Sequence, residues 1–213
     1  MEEGRLPKII YDEMKVHNEP WIAEVREIFQ TINCETVFAN DCRIINIKEF
    51  LDHAKQTLMS HHVASWQATL ERKPKLELYR NIKNTLELEN YCKVNLTRGQ
   101  RSVLAKLRLG ILPINIELER YNGTPREERI CQICDSGEIE DEKHFLFVCP
   151  VYAESRRVLL NNATLHARNF DEMNSNEKIS ILTTHTNLIR KTSRYLLQAI
   201  STRNDKLRLP SRV

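Results

Sequence analysis

Cys131, Cys134, His144 and Cys149 sit in the run CQICDSGEIEDEKHFLFVCP, spaced C-x2-C, then nine residues, then H-x4-C. Three soft thiolates and one imidazole are the donor set of a tetrahedral Zn²⁺ site, and four protein ligands leave no open position for a substrate. The two-residue gap in CQIC lets one tight turn present both sulfurs to a single ion. The loop that follows, DSGEIEDEK, carries Gly137 and almost no apolar surface, so it folds back cheaply. The expectation is one structural Zn²⁺ that builds the protein and does no chemistry. A redox reading of CQIC would need a βαβ context, and nothing strand-like precedes it. The remaining thiols, Cys34, Cys42 and Cys92, stand among apolar neighbours and read as buried, inert side chains.

The elements that hold these ligands must meet one constraint. On a continuous α-helix His144 and Cys149 would point about 140° apart, so the helix must end between them. Cys149-Pro150 supplies the break, because proline disfavours α geometry in the residue before it. A short helix over His144, a kink at Cys149 and a fresh helix from Pro150 are therefore expected. The acidic run Glu138, Glu140, Asp141, Glu142 has two readings. One carboxylate could orient the second nitrogen of His144, or the run could be a solvated helix start favoured by the dipole.

Elsewhere the periodicity is helical. Residues 19–33 open on Pro20 and place Ile22, Val25 and Phe29 on one face. Asn46-Ile-Lys-Glu49 resembles a capping box, opening a helix that runs to about Arg72 and should bury Phe50, Leu51, Leu58, Val63 and Trp66. Residues 76–95 are less regular, with a short extended piece or turns and then a short helix. Thr97-Arg-Gly-Gln100 is a cleaner capping box, with Gly110 as the stop. Pro113 begins another short helix, Pro150 opens one over VYAESRRVLLNNA, and a polar break at 161–176 precedes a long helix over 177–206. Its apolar positions are Ile181, Leu188, Leu196, Leu197 and Ile200.

Composition narrows the class. A 41% apolar content provides a core, and five glycines are few for an all-β chain of 213 residues. A net charge of +3 permits nucleic-acid or acidic-lipid contact without demanding it. No apolar run approaches the ~18 residues of a membrane span. The polar start MEEGRLPKII does not read as a secretory signal. A thiol site with further free cysteines fits a reducing compartment, where the triplets at Asn95, Asn122 and Asn162 would go unglycosylated. No Ser/His/Asp set, Gly-rich phosphate loop or paired carboxylates emerge, so an enzyme is not expected. On 98–109, Val103, Leu104 and Leu107 share a face with Ile111 beyond. Arg98, Arg101 and Arg108 fall opposite, with Lys106 to one side. Such a stripe can grip phosphates or be merely solvated. The tail adds Arg203, Lys206, Arg208 and Arg212.

The residues from Arg101 to Tyr152 carry a resemblance. Leu107–Gly110, Leu112-Pro113, Glu117–Tyr121, Cys131/Cys134, Glu140–Glu142, His144–Pro150 and Tyr152 follow one another as in the zinc-binding region behind the polymerase domain of non-LTR (LINE-like) retroelement reverse transcriptases. The likeness extends more loosely over residues 20–157. It implies that Cys131, Cys134, His144 and Cys149 ligate zinc, and that the region helps bind template RNA or target DNA, for which Arg98, Arg101, Lys106 and Arg108 are only candidate contacts. That family's polymerase uses an Asp-Asp pair, and this chain has none, so polymerase activity is not expected of what resembles a detached C-terminal fragment.

The resulting expectation is an all-α fold, an irregular helical array with a small Cys3His zinc module and a C-terminal helix. A helical linker would cover 1–96, the zinc module 97–160, and a C-terminal helix and basic tail 161–213. The expected partner is RNA or DNA in the cytoplasm or nucleus, with no membrane and no small-molecule substrate. A helical protein-interaction module with a purely structural zinc, or a non-functional retroelement relic, is the alternative.

Overall fold

Helix signals become helices almost throughout the computed structural model, which describes residues 6–17, 19–40 and 46–208. In chain order they are α1 (Leu6–Val16), α2 (Pro20–Thr31), α3 (Glu35–Ala39), α4 (Ile47–Glu71), α5 (Glu77–Ile82), α6 (Asn90–Lys93), α7 (Arg98–Arg108), α8 (Asn115–Tyr121), α9 (Ala153–His166), α10 (Ser175–Thr184) and α11 (Thr186–Arg208). Short 3₁₀ turns intervene. Among the described residues there is no strand, only an isolated antiparallel bridge between Ile130 and Ile139. The fold is all-α. Cys42 and Arg212 lie outside the described residues.

The chain forms two compact units, Met1–Ala68 and Thr69–Val213. In the first, a small core gathers Tyr11, Ile22 and Phe38, with Met14, Val25 and Phe29 against them. Asn46 caps α4 as expected, its Oδ1 accepting from the Glu49 amide at 3.2 Å. The burial expected along α4 is not found: Leu70 is its only buried residue. Leu51 and Leu58 stay exposed, and Phe50, Val63 and Trp66 are half-buried. Apolar spacing gives a helix its face, but only a neighbour can bury it.

The second unit holds the larger core, built on Leu104, Leu107, Leu112, Ile114, Phe145, Tyr152, Leu188 and Leu196, all nearly inaccessible. The stretch 97–160 thus shares one core with α10 and α11. Both halves of the capping box at α7 form: Gln100 N–H donates to Thr97 Oγ1 at 3.2 Å and Thr97 N–H to Gln100 Oε1 at 2.9 Å. Gly110, at φ +63°, ends the segment in the left-handed conformation that suits glycine. The single helix expected over 177–206 is divided at His185, whose extended ψ of 120° separates α10 from α11. Asn174 and Glu177 make a second capping box at the start of α10, at 3.0 and 2.9 Å. Cys92 is exposed and Cys34 half-buried, so the buried reading of these two thiols does not hold.

Candidate metal centre and basic face

The C-x2-C turn is closed by the bridge around it. Cys131 N–H donates to Glu138 O at 2.9 Å and Glu140 N–H to Arg129 O at 2.9 Å, so the loop 131–138 doubles back on itself. Gly137, at φ +67°, makes that reversal. Asp141 Oδ1 accepts from the His144 amide at 2.8 Å and starts the next turn. Residues His144–Val148 wind as a π-helical turn, in which Cys149 N–H donates to His144 O at 2.8 Å. That i→i+5 bond draws Cys149 back towards His144. Cys149 then leaves helical geometry at φ −51°, ψ 122°, and Pro150–Tyr152 form a 3₁₀ turn leading into α9. The expected short turn, kink and restart are present, with a π winding that spacing alone does not reveal.

These pieces bring one ligand atom each of Cys131, Cys134, His144 and Cys149 within 4.8 Å of one another. A tetrahedral ion with metal–sulfur bonds near 2.3 Å holds its donors about 3.8 Å apart, so the donors need only close in by about 1 Å at the widest pair to bind one. Cys131, His144 and Cys149 are buried. Cys134 Sγ lies 3.4 Å from His144 Nε2. The other ring nitrogen, Nδ1, faces Glu138 Oε2 at 2.8 Å. A carboxylate there keeps the proton on Nδ1 and leaves Nε2 as the donor. The four residues could hold a metal ion, and four protein donors would close its coordination.

As free thiols these groups differ. Burial pushes Cys131 up to about 12 and raises Cys149 as well. Burial also opposes ionisation of Cys134, but hydrogen bonds from Ser136, joined by Cys131 and His144, outweigh it and bring this thiol to about 7. Binding a metal would expel the remaining protons, which couples affinity to pH.

The acidic run is almost entirely engaged. Glu138 orients His144 and Asp141 caps it. Glu140 is fully buried and receives Arg203 of α11, with Nε to Oε1 and Nη2 to Oε2 both at 2.7 Å. Asn115 completes this network, its amide donating to Glu140 Oε2 and its Oδ1 accepting from Arg203, each at 2.8 Å. Burial pushes the Glu142 carboxyl up. Sequence reasoning left Arg203 in a basic tail. The missed signal is Arg203 in register with the apolar positions Leu196 and Ala199 of an otherwise amphipathic helix.

The arginine stripe loses a member. Arg108 is buried, 2% exposed, in an ion pair with Glu89 and beneath the Tyr91 ring. On α7 it lies four residues after Leu104, close enough to the apolar face to be drawn in. Arg98, Arg101 and Lys106 are exposed and form no ion pair among the described residues. Among the described residues no helix is long and apolar enough to cross a membrane. No protein-family model, no curated protein and no solved structure matches this chain.

Proposed function

We propose that this protein is a non-catalytic nucleic-acid-binding module of the retroelement reverse-transcriptase type, with a single structural Zn²⁺ held by Cys131, Cys134, His144 and Cys149. One observation carries the reading: a cluster that can be closed by four protein donors lies in the same core as α7, whose exposed cations have no carboxylate partner among the described residues. When bound, zinc would cross-link the loop to the turn at Cys149; it would present no coordination position for chemistry. Arg98, Arg101 and Lys106 then contact phosphates, and each contact adds a salt-sensitive increment to binding. Thiols that must stay reduced to bind metal would suit the cytoplasm or nucleus.

A second reading is favoured by α4. Ile47, Leu51 and Met59 are each more than half exposed, a surface suited to a protein partner. The test is metal analysis of the purified protein beside a titration of labelled single-stranded RNA at two salt concentrations. One zinc per chain and binding that weakens steeply with salt are expected. One zinc with no RNA or DNA binding would leave the interaction-module reading, and absence of zinc from protein purified under reducing conditions with zinc supplied would sink the metal assignment.

A further inference from the structure

We propose that α11 supplies a second half of the nucleic-acid surface, with Arg190 and Arg194 gripping phosphates alongside Arg98 and Arg101 of α7. This rests on the nucleic-acid reading above and extends it to a helix that carries no part of the metal site. α7 and α11 pack on each other more extensively than any other pair of helices described. They run in the same direction. Arg190 Nη2 donates to Asn95 O at 2.7 Å, just ahead of α7, while Arg203 meets Asn115 and Glu140 beyond its far end. Arg194 comes one turn after Arg190, about 6 Å along the axis, which carries it towards the level of Arg98 and Arg101.

Charge is segregated along this pair. α7 contains no Asp or Glu, and α11 contains only Asp205, near its end. Arg190, Lys191 and Arg194 are exposed, and none is in an ion pair among the described residues. The hydrogen bond from Arg190 to a backbone carbonyl fixes its guanidinium without neutralising it. Lys191 donates to the side-chain Oδ1 of Asn162, likewise a neutral acceptor. Two neighbouring helices therefore present uncompensated cations on rigid backbone, most of them arginines, whose planar fork matches phosphate oxygens. A repeating polyanion suits such a ridge. A membrane surface suits it less, because interfacial helices need a broad apolar face beside the charges, and Leu197 is the only large hydrophobic that α11 exposes between Arg190 and Arg203.

The experiment is a salt titration of binding by the full-length, zinc-loaded protein to labelled single-stranded RNA. Each phosphate contact on a single strand contributes about 0.7 to the slope of log affinity against log salt. Arg190→Gln with Arg194→Gln should lower that slope by about 1.4, with helicity and metal content unchanged. Should loss of the Arg190–Asn95 contact impair folding, Arg194→Gln alone, which removes no hydrogen bond seen here, should lower it by about 0.7. An unchanged slope in these variants, while Arg98→Gln with Arg101→Gln reduces it, removes α11 from the surface and leaves the proposed function standing. Wild-type protein that ignores both RNA and DNA, or prefers phosphatidylserine vesicles or polyglutamate, overturns both.

Discussion

Glu138 touches the cluster through the His144 ring and donates nothing to a metal, so it separates orientation from ligation. Glu138→Gln should keep the fold and lower metal affinity about 10–100-fold, the usual cost of losing an outer-shell carboxylate. Competition with a chromophoric chelator would measure it, and unaltered affinity would reduce the 2.8 Å contact to packing. Glu117 offers a pH test at the same scale. Burial works against its charge, yet hydrogen bonds from Lys75, Arg120 and Tyr121 together prevail and hold its carboxyl below the ordinary value of 4.5. A depressed folded-state pKa stabilises the protein above the unfolded value, and that contribution fades as pH falls through the folded one. Glu117→Gln should therefore cost stability at pH 7 and flatten the acid side of the stability curve. An acid limb as steep as wild type would remove Glu117 from the account. Gly99 has open space around the position of a Cβ and no positive φ. Gly99→Ala should stabilise α7 by about 0.5–1 kcal/mol, seen as a raised urea midpoint.

At the scale of elements, the Glu140–Arg203–Asn115 network fastens α11 to the strand-like edge of the metal loop. Removing one partner of a buried ion pair strands the other charge, at a cost of about 3–5 kcal/mol. Arg203→Met should show that loss in urea unfolding. Glu140→Met with Arg203→Met should recover only part of it, because the Asn115 amide would still lack its acceptor. If the double variant is no better than the single, the penalty comes from packing and not from a stranded carboxylate. The π-helical turn at His144–Val148 has a similar role, since it exists to bring Cys149 back under His144. Cys134→Ser should speed hydrogen exchange over 125–155, with protection of α2 unchanged. Equal protection throughout would mean that the loop holds itself without metal.

Across the whole molecule, the two compact units have separate cores, and the Cys3His cluster that could hold a metal belongs to the second. A strong chelator should lower the unfolding temperature of that unit's core while leaving the first unit's core as it was, so fluorescence from Trp21 and metal-sensitive probes near Tyr152 should part company. A single transition moving as one would show that the units unfold together. The exposed apolar residues of α4 and the cationic pair α7–α11 lie on different units, so the protein-partner reading and the proposed nucleic-acid reading concern separate surfaces. Binding assays on the intact chain can score them independently.

Local signals in this chain are those whose cause lies within a few residues. The Cys3His cluster that could hold a metal, the break that Pro150 imposes at Cys149, the capping boxes at Thr97 and Asn46, and the all-α class were legible because donor chemistry, proline geometry and side-chain capping act over one or two turns. Helical periodicity also marked the buried faces of α2 and α7. What periodicity cannot state is what lies opposite a face. Leu51 and Leu58 share apolar spacing with true core residues and remain exposed for want of a neighbour. Arg108 and Arg203 look like surface cations in a basic chain, yet Glu89 and Glu140, from other parts of the sequence, draw them inside. The sequence by itself determined the chemistry available at 131–149 and where the chain must turn to concentrate it. Only the tertiary structure decided which charges are spent internally and which remain outside, because a buried charge is tolerable solely where the fold delivers its partner.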